Sequence, residues 1–359
     1  MKIKVLIIFL YITIIYCQGS PNDGAEEEIF FQGFMKFVIN FSKNYSSIDE
    51  LRARFNIFKQ NMQLLNITNL DFGVNTNSSD PDNGWTMGVS PYSDLTSEEF
   101  QDKYLTFTNS SLPADLKTYN FANSDENNNF LSGNETEGRS LQAIPSTWDW
   151  RRYGAVTPVK NQGTCGSCWA FAAAANIEGL YYLKYRKSFQ FSEQQILDCN
   201  YGNKGCGGGT SAEAFYYINY SGGIMLSTSY PYKGYKSSCR FQSSQIVARI
   251  SGFVSAGTTD ENYIQQMLYK TGPIAVAMNA RPLQFYTGGV FSVSQSKCNP
   301  YSLNHAITLV GYGTTSNGSN YWIVKNSWGA NWGEAGYFRI LRGFGVCGIN
   351  LVATSAILQ

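Results

Sequence analysis

The run Gln162-Gly-Thr-Cys165-Gly-Ser-Cys168-Trp169-Ala-Phe171 holds the first residues whose types and spacing suggest chemistry. A Cys-x-x-Cys pair has three readings. A zinc half-site needs further Cys or His ligands, usually a second close pair. Cys199 and Cys206 stand too far apart to look like one, and the chain has one histidine. A redox dithiol belongs beside a βαβ pattern, which is missing here. The third reading is a nucleophile at a helix start. Trp169–Tyr185 is Ala-rich and free of Gly and Pro until Gly179, so it reads as a helix with Cys168 at its head. Unpaired N–H groups and the helix dipole favour a thiolate there.

A cysteine nucleophile needs a base. Pairing with an imidazolium can draw a cysteine pKa from about 8.5 to about 3–4. His305 opens the apolar run His305-Ala-Ile-Thr-Leu-Val-Gly-Tyr312. A single histidine is more often structural, but no other imidazole is present. The base must also be oriented, and a side-chain carbonyl on the far ring nitrogen does this. Asn326, in Trp322-Ile-Val-Lys-Asn326-Ser-Trp328-Gly, ends the next β-prone run, and hairpin neighbours would bring it beside His305. Trp328 and Trp332 could shield that bond or simply fill the core; the two roles are compatible.

These residues need elements to hold them. The chain has 359 residues, a formal charge of +1 and 43% hydrophobic residues, which suggests one or two domains. The near-zero charge gives no sign of nucleic-acid binding. Lys2 and Lys4 precede an apolar run, Val5–Tyr16, followed by small residues at Cys17, Gly19 and Ser20. This reads as a signal peptide over residues 1–20, shorter than the ~20 apolar residues of a membrane span. Loss of Cys17 leaves seven of the eight cysteines, an odd count that suggests one free thiol in an oxidising compartment. N-x-S/T sequons begin at Asn40, Asn44, Asn66, Asn77, Asn109, Asn134, Asn219 and Asn317 and agree with secretion.

Residues 22–106 carry helical patterns, residues 108–140 read as a polar linker, and from Ile144 the chain is richer in Gly, Cys, Trp and Tyr. Glu50, Arg54, Phe58, Asn61, Leu65 and Asn69 fall on one helical face, with Phe55, Phe58, Met62 and Leu65 as a buried edge. Ser192 with Gln195, and Thr258 with Glu261, look like capping boxes for helices ending near Asp198 and Lys270. Pro273–Met278, His305–Tyr312, Tyr321–Lys325 and Gly336–Leu341 are β-prone runs. Helices first and strands later give an α+β chain.

Taken together, Cys165-Gly-Ser-Cys168-Trp169, with His305 137 residues and Asn326 158 residues after Cys168, resembles the papain family of cysteine peptidases, cathepsin L-like. The resemblance implies a papain-like two-domain fold over residues 141–359, with a helical left half carrying Cys168 and a β-barrel-like right half carrying His305 and Asn326. Residues 21–140 would then be an inhibitory propeptide with its linker. The helical stripe is similar to the E-R-F-N-I-N motif, and Gly88-Val-Ser90-Pro-Tyr92-Ser-Asp94 to G-x-N-x-F-x-D, with departures at Leu65, Ser90 and Tyr92. Such a propeptide runs through the cleft opposite to a substrate.

By the same resemblance Gln162 forms the oxyanion hole with the Cys168 N–H, and Gly208 and Gly209 pair with extended substrate. Thr210, Ser211, Ala277, Ala306 and Val352 line the pocket for the residue before the scissile one (P2). That pocket holds no acid, so an apolar P2 is expected, with Thr210 and Ser211 making its mouth wide and polar. Bridges Cys165–Cys206, Cys199–Cys239 and Cys298–Cys347 would leave Cys168 free. No metal or organic cofactor is implied.

The expected partners are protein and peptide substrates and the chain's own propeptide, with no nucleic acid and no stable membrane anchor. The protein is expected to be a monomer in the secretory pathway, bound for a lysosome, a digestive vacuole or the exterior. A catalytically dead binding relative would usually have lost the Cys or His. An exopeptidase of the cathepsin B type needs spare histidines on a loop, so an endopeptidase is preferred. Finally, 17 of the 27 basic but 8 of the 26 acidic residues lie from Asp149 onward. Charge attraction between propeptide and enzyme is one expectation, apolar docking the other.

Overall fold

The computed structural model describes residues 23–66, 78–79, 84–107, 118–120 and 144–359. The expected signal peptide and most of the linker lie outside the described residues.

The chain begins with an aromatic helical hairpin. Helices α1 (Asp23–Asn40) and α2 (Ile48–Leu64) bury Phe30, Phe31, Phe34 and Phe37 against Phe55, Phe58 and Met62. Ser47 caps α2 by accepting from Glu50 N, and Asp49 and Glu50 favour its positive end. The stripe read from the sequence has a second task. Arg54 pairs with Glu99 at 2.6 Å, and Asn61 Nδ2 donates to the carbonyls of Ser93 and Leu95, both at 2.9 Å. Leu65 sits past the helix end as its C-cap, and Asn69 lies outside the described residues. After β1 (Ser78–Ser79) and β2 (Trp85–Met87), the gripped segment leads into α3 (Ser97–Tyr104), whose Thr96 and Glu99 form a full capping box. Strand β3 (Thr118–Asn120) follows, then β4 (Trp148–Asp149).

The helical half consists of α4 (Cys168–Tyr185), α5 (Glu193–Cys199) and α6 (Ser211–Tyr220), with a small sheet of β5 (Ile224–Met225) and β6 (Ile246–Ala248). The sheet half holds β7 (Ile250–Ser255), α7 (Glu261–Thr271), β8 (Ile274–Met278), β9 (Tyr286–Phe291), β10 (His305–Thr314), β11 (Asn320–Lys325), β12 (Tyr337–Leu341) and β13 (Ala353–Leu358). Its strands run in the order β1-β2-β9-β12-β11-β10-β8-β13-β7-β3, with β4 also on β10. Strand β2 therefore covers one edge of the sheet and β3 the other. Gly289 takes φ +87°, and a Cβ there would lie 2.4 Å from Gly84 O, so glycine lets β2 come this close. All three expected disulfides are present. Cys168 is the free cysteine among the described residues.

Both expected capping boxes change. Ser192 does cap α5, but Gln195 turns away: it accepts from Met225 N at 2.7 Å and donates to Gly223 O at 3.0 Å. The cap of α7 is Asp260, which accepts from Asn262 N. Glu261 takes Trp322 Nε1 at 2.6 Å and Gly345 N at 2.7 Å instead. A buried donor gains more from a carboxylate than a solvated cap does.

Among the described residues, direct ion pairs across the contact are few. Between described residues of the two regions, the ion pair is Arg281–Glu98, 3.6 Å apart and exposed; such a pair is worth about 0–1 kcal/mol. The contact is mainly apolar and backbone-mediated. Trp85 meets Phe291 edge-on, β2 pairs with β9, and Gln284 Nε2 donates to Tyr92 O and Leu95 O.

Phe58 is fully buried between Phe34 and Phe37. Phe58→Ala should cost about 3–5 kcal/mol of local stability. The mutant precursor should gain peptidase activity at a higher pH than the wild type when the two are acidified in parallel.

Candidate active site

Cys168 is the first residue of α4 and is fully buried. His305 starts β10, and β10 packs on α4 in a cluster that includes Cys168, Ala277 and Ala306. The hairpin of β10 and β11 brings Asn326, just past β11, back to the start of β10. His305 Nε2 lies 2.8 Å from Asn326 Oδ1, which also accepts from Ser327 N at 2.8 Å. With that oxygen as acceptor, Nε2 carries the proton. Nδ1 is left as the basic nitrogen of the neutral ring, buried and without a hydrogen-bond partner. Trp328 stacks on the imidazole at 4.7 Å, and Trp332 braces Trp328 edge-on at 4.8 Å.

Gln162 is held at every polar group. Its N–H donates to Ser327 O and its carbonyl accepts from Tyr232 OH, both at 2.8 Å. Ser327 Oγ donates to Gln162 Oε1 at 2.6 Å, which aims Nε2 at Cys165 O (3.1 Å) and Tyr104 O (3.5 Å). Nothing in the sequence marks Ser327 for this role except its place next to Asn326.

Residues 104–107 occupy this site. A Cβ on Gly166 would fall 1.8 Å from Thr106 Oγ1, so a side chain there would exclude the segment. Phe107 N donates to Asn304 O at 2.9 Å, and Phe107 forms a parallel bridge with Gly209. Its ring joins the apolar cluster of Ala277 and Ala306, with Val352 and Leu303 at the margin. Tyr92 and Phe100 meet Trp328 edge-on at 5.6 and 5.2 Å.

The expected site residues divide. Cys168, His305, Asn326, Gln162, Trp328, Ala277 and Ala306 converge. Ala277 pairs with Ala306 and donates its N–H to Val352 O at 3.3 Å. Thr210 and Ser211 turn their hydroxyls inward: Thr210 caps α6 through Glu213 N, and Ser211 donates to Trp169 O at 3.1 Å. They add little polarity to a pocket mouth. Gly208 O accepts from Lys204 N at 2.8 Å and Gly208 N donates to Gly205 O at 3.2 Å, so Gly208 is spent inside its own loop. The need for glycine at 209 comes from Asn203, whose side chain would lie 2.3 Å from a Cβ, rather than from the paired peptide.

Burial pushes the Cys168 thiol up to about 11, against nearby backbone amides that lower it. Burial also pulls His305 down to about 4, opposed by the Asn326 hydrogen bond. Both shifts favour the neutral thiol and the neutral imidazole while residues 104–107 are seated.

The fold and site together define a cysteine peptidase with its cleft filled by its own N-terminal region. The profile of the Papain family cysteine protease matches residues 144–357, and that of the Cathepsin propeptide inhibitor domain matches residues 34–100. Cysteine proteinase 1 of Dictyostelium discoideum is 36% identical, over 99% of this chain and 100% of the relative. Fruit bromelain of Ananas comosus is 36% identical over 100% of this chain and 96% of its own. The solved digestive procathepsin L 3 of Tenebrio molitor larval midgut superposes with a TM-score of 0.77 at 34% identity, covering 92% of this chain and 99% of that one. The chain belongs to the papain family of cysteine proteases and is a zymogen carrying its own propeptide inhibitor.

Iodoacetamide should alkylate Cys168 in the precursor slowly at pH 7, with the rate rising only as the thiol titrates in strong alkali. After propeptide removal the rate at pH 6–7 should rise by about 100-fold or more, as thiolate replaces thiol. Equal rates for the two forms would contradict burial as the cause of silence.

Proposed function

We propose that Cys168, His305 and Asn326 hydrolyse internal peptide bonds, with an apolar residue preferred at P2. The observation that carries the reading is the imidazole of His305. One ring nitrogen is tied to Asn326 under Trp328; the other is buried, unpartnered and on the strand packed against the helix that Cys168 begins.

With the cleft open, the Cys168 thiolate attacks the scissile carbonyl carbon. The resulting oxyanion is held by Gln162 Nε2 and the Cys168 N–H. His305 gives its proton to the leaving amine as the C–N bond breaks and a thioester remains. His305 then takes a proton from water, hydroxide displaces the thiolate, and the acid product departs. The seated propeptide escapes this sequence by direction. Its bridge to Gly209 is parallel, and it presents the Tyr104 carbonyl to Gln162.

The apolar P2 preference rests on Ala277, Ala306 and Val352, and on Phe107 occupying the same cluster in the precursor. An endopeptidase is favoured because the one histidine of the chain is engaged with Asn326. We place the protein in the secretory pathway, bound for a lysosome, a digestive vacuole or the exterior. Sequon residues Asn40, Asn44, Asn66, Asn219 and Asn317 are exposed, and no helix among the described residues is long and apolar enough to cross a membrane.

Acidified precursor should release a mature chain whose new N-terminus falls between Arg139 and Asp149, as read by N-terminal sequencing; Cys168→Ser precursor should release none. On a peptide library the mature enzyme should cut after Phe-Arg faster than after Arg-Arg, and Val352→Glu should move the preference toward Arg at P2. Faster Arg-Arg turnover by the wild type would refute the pocket assignment.

A further inference from the structure

Gln162 Nε2 and the Cys168 N–H, the two proposed oxyanion donors, belong to opposite ends of one short loop, residues 162–168, and any catalytic role for that loop rests on the oxyanion reading. Inside the loop, Gln162 Nε2 and Ser167 N both donate to Cys165 O, at 3.1 and 2.8 Å. From outside it is closed by a phenol. Tyr232 OH donates to Gln162 O at 2.8 Å and lies 2.7 Å from Ser167 Oγ. The phenol proton is committed to Gln162 O, so Ser167 donates to the phenol oxygen. That contact is far shorter than the 3.4 Å from Ser167 Oγ to Cys165 O. One hydroxyl thus spans the residue bearing the amide donor and the residue whose peptide link carries the second donor, the Cys168 N–H.

Tyr232 is itself firmly mounted. Its ring meets Phe171 edge-on at 4.9 Å. The next residue, Lys233, donates its N–H to Gln194 Oε1 at 2.7 Å. Two residues earlier, Tyr230 OH donates to Asp198 Oδ2 at 2.8 Å, and the Cys199–Cys239 bridge closes the same loop onto α5. Burial pushes the Tyr232 phenol up to about 12, so it stays a donor wherever the enzyme works.

We propose that Tyr232 is a positioning residue for hydrolysis, whose hydroxyl fixes the separation and aim of the two oxyanion donors without touching substrate. Losing a whole oxyanion donor costs about 10²–10³-fold in kcat. A donor left in place but loosened should cost less, on the order of tenfold.

The test compares wild type, Tyr232→Phe and Gln162→Ala, each made as full precursor, activated, and titrated for active thiol. Phenylalanine keeps the ring on Phe171 and removes only the hydroxyl. Tyr232→Phe should lower kcat about tenfold with KM little changed. It should weaken a peptide aldehyde, whose tetrahedral adduct places an oxygen in the hole, by a similar factor. Alkylation of Cys168 by iodoacetamide creates no oxyanion, so its rate and pH profile should stay within about twofold of wild type. A parallel fall in alkylation, or a lowered unfolding temperature with kcat intact, would reduce Tyr232 to a structural residue and overturn the proposal. If Gln162→Ala loses kcat while Tyr232→Phe does not, the proposal fails and the oxyanion reading stands. If Gln162→Ala keeps full kcat, the oxyanion reading fails and this inference with it.

Discussion

Cys168 at the head of a helix and His305 at the start of a strand are brought into one buried site from two halves of the chain. Packing along the seam between the halves holds them there. Helix α4 is fully buried along its first half, from Cys168 to Ala174, and lies against β10 and β13. The seam below is polar as well as apolar. Lys160 reaches Glu178 and Glu193, and Lys325, next to Asn326, donates to Thr157 at 2.9 Å. Burial pulls Lys325 down to about 8, opposed by the attraction of Glu178. Breaking one member of such a buried set would strand the charge of another, which is far costlier than losing a surface pair.

The same burial that joins the halves explains how the precursor is kept silent. A thiolate beside an imidazolium needs water or dipoles around it. Residues 104–107 fill the site, and burial there pushes the thiol up and the imidazole down, which favours the neutral form of each. The seated segment blocks access to the site and at the same time buries its two titratable groups. Between described residues of the two regions the ion pair is the exposed Arg281–Glu98.

Much of this was legible in the sequence because local pattern and chemistry agreed. Cys168 heads an Ala-rich run, His305 and Asn326 bound consecutive apolar runs, and the helical stripe lies on one face. What was not legible depends on partners distant in the chain. Gln195 and Glu261 have the right spacing for caps, yet Met225, Gly223, Trp322 and Gly345 claim them. Thr210 and Ser211 looked like polar pocket residues, but a helix end and a carbonyl absorb their hydroxyls. Tyr232 sits in the irregular segment Tyr230-Pro231-Tyr232, and nothing local marks its reach to Gln162 and Ser167. Such assignments need the tertiary fold, since side-chain hydrogen bonds follow proximity rather than sequence period.

The strands contributed by the N-terminal region lie at the two ends of the large sheet, β2 on β9 and β3 on β7. Removal of these strands would open the sheet at both β9 and β7. Two rows of backbone donors and acceptors that the N-terminal strands cover would then be open, and such rows invite pairing with an extended neighbour.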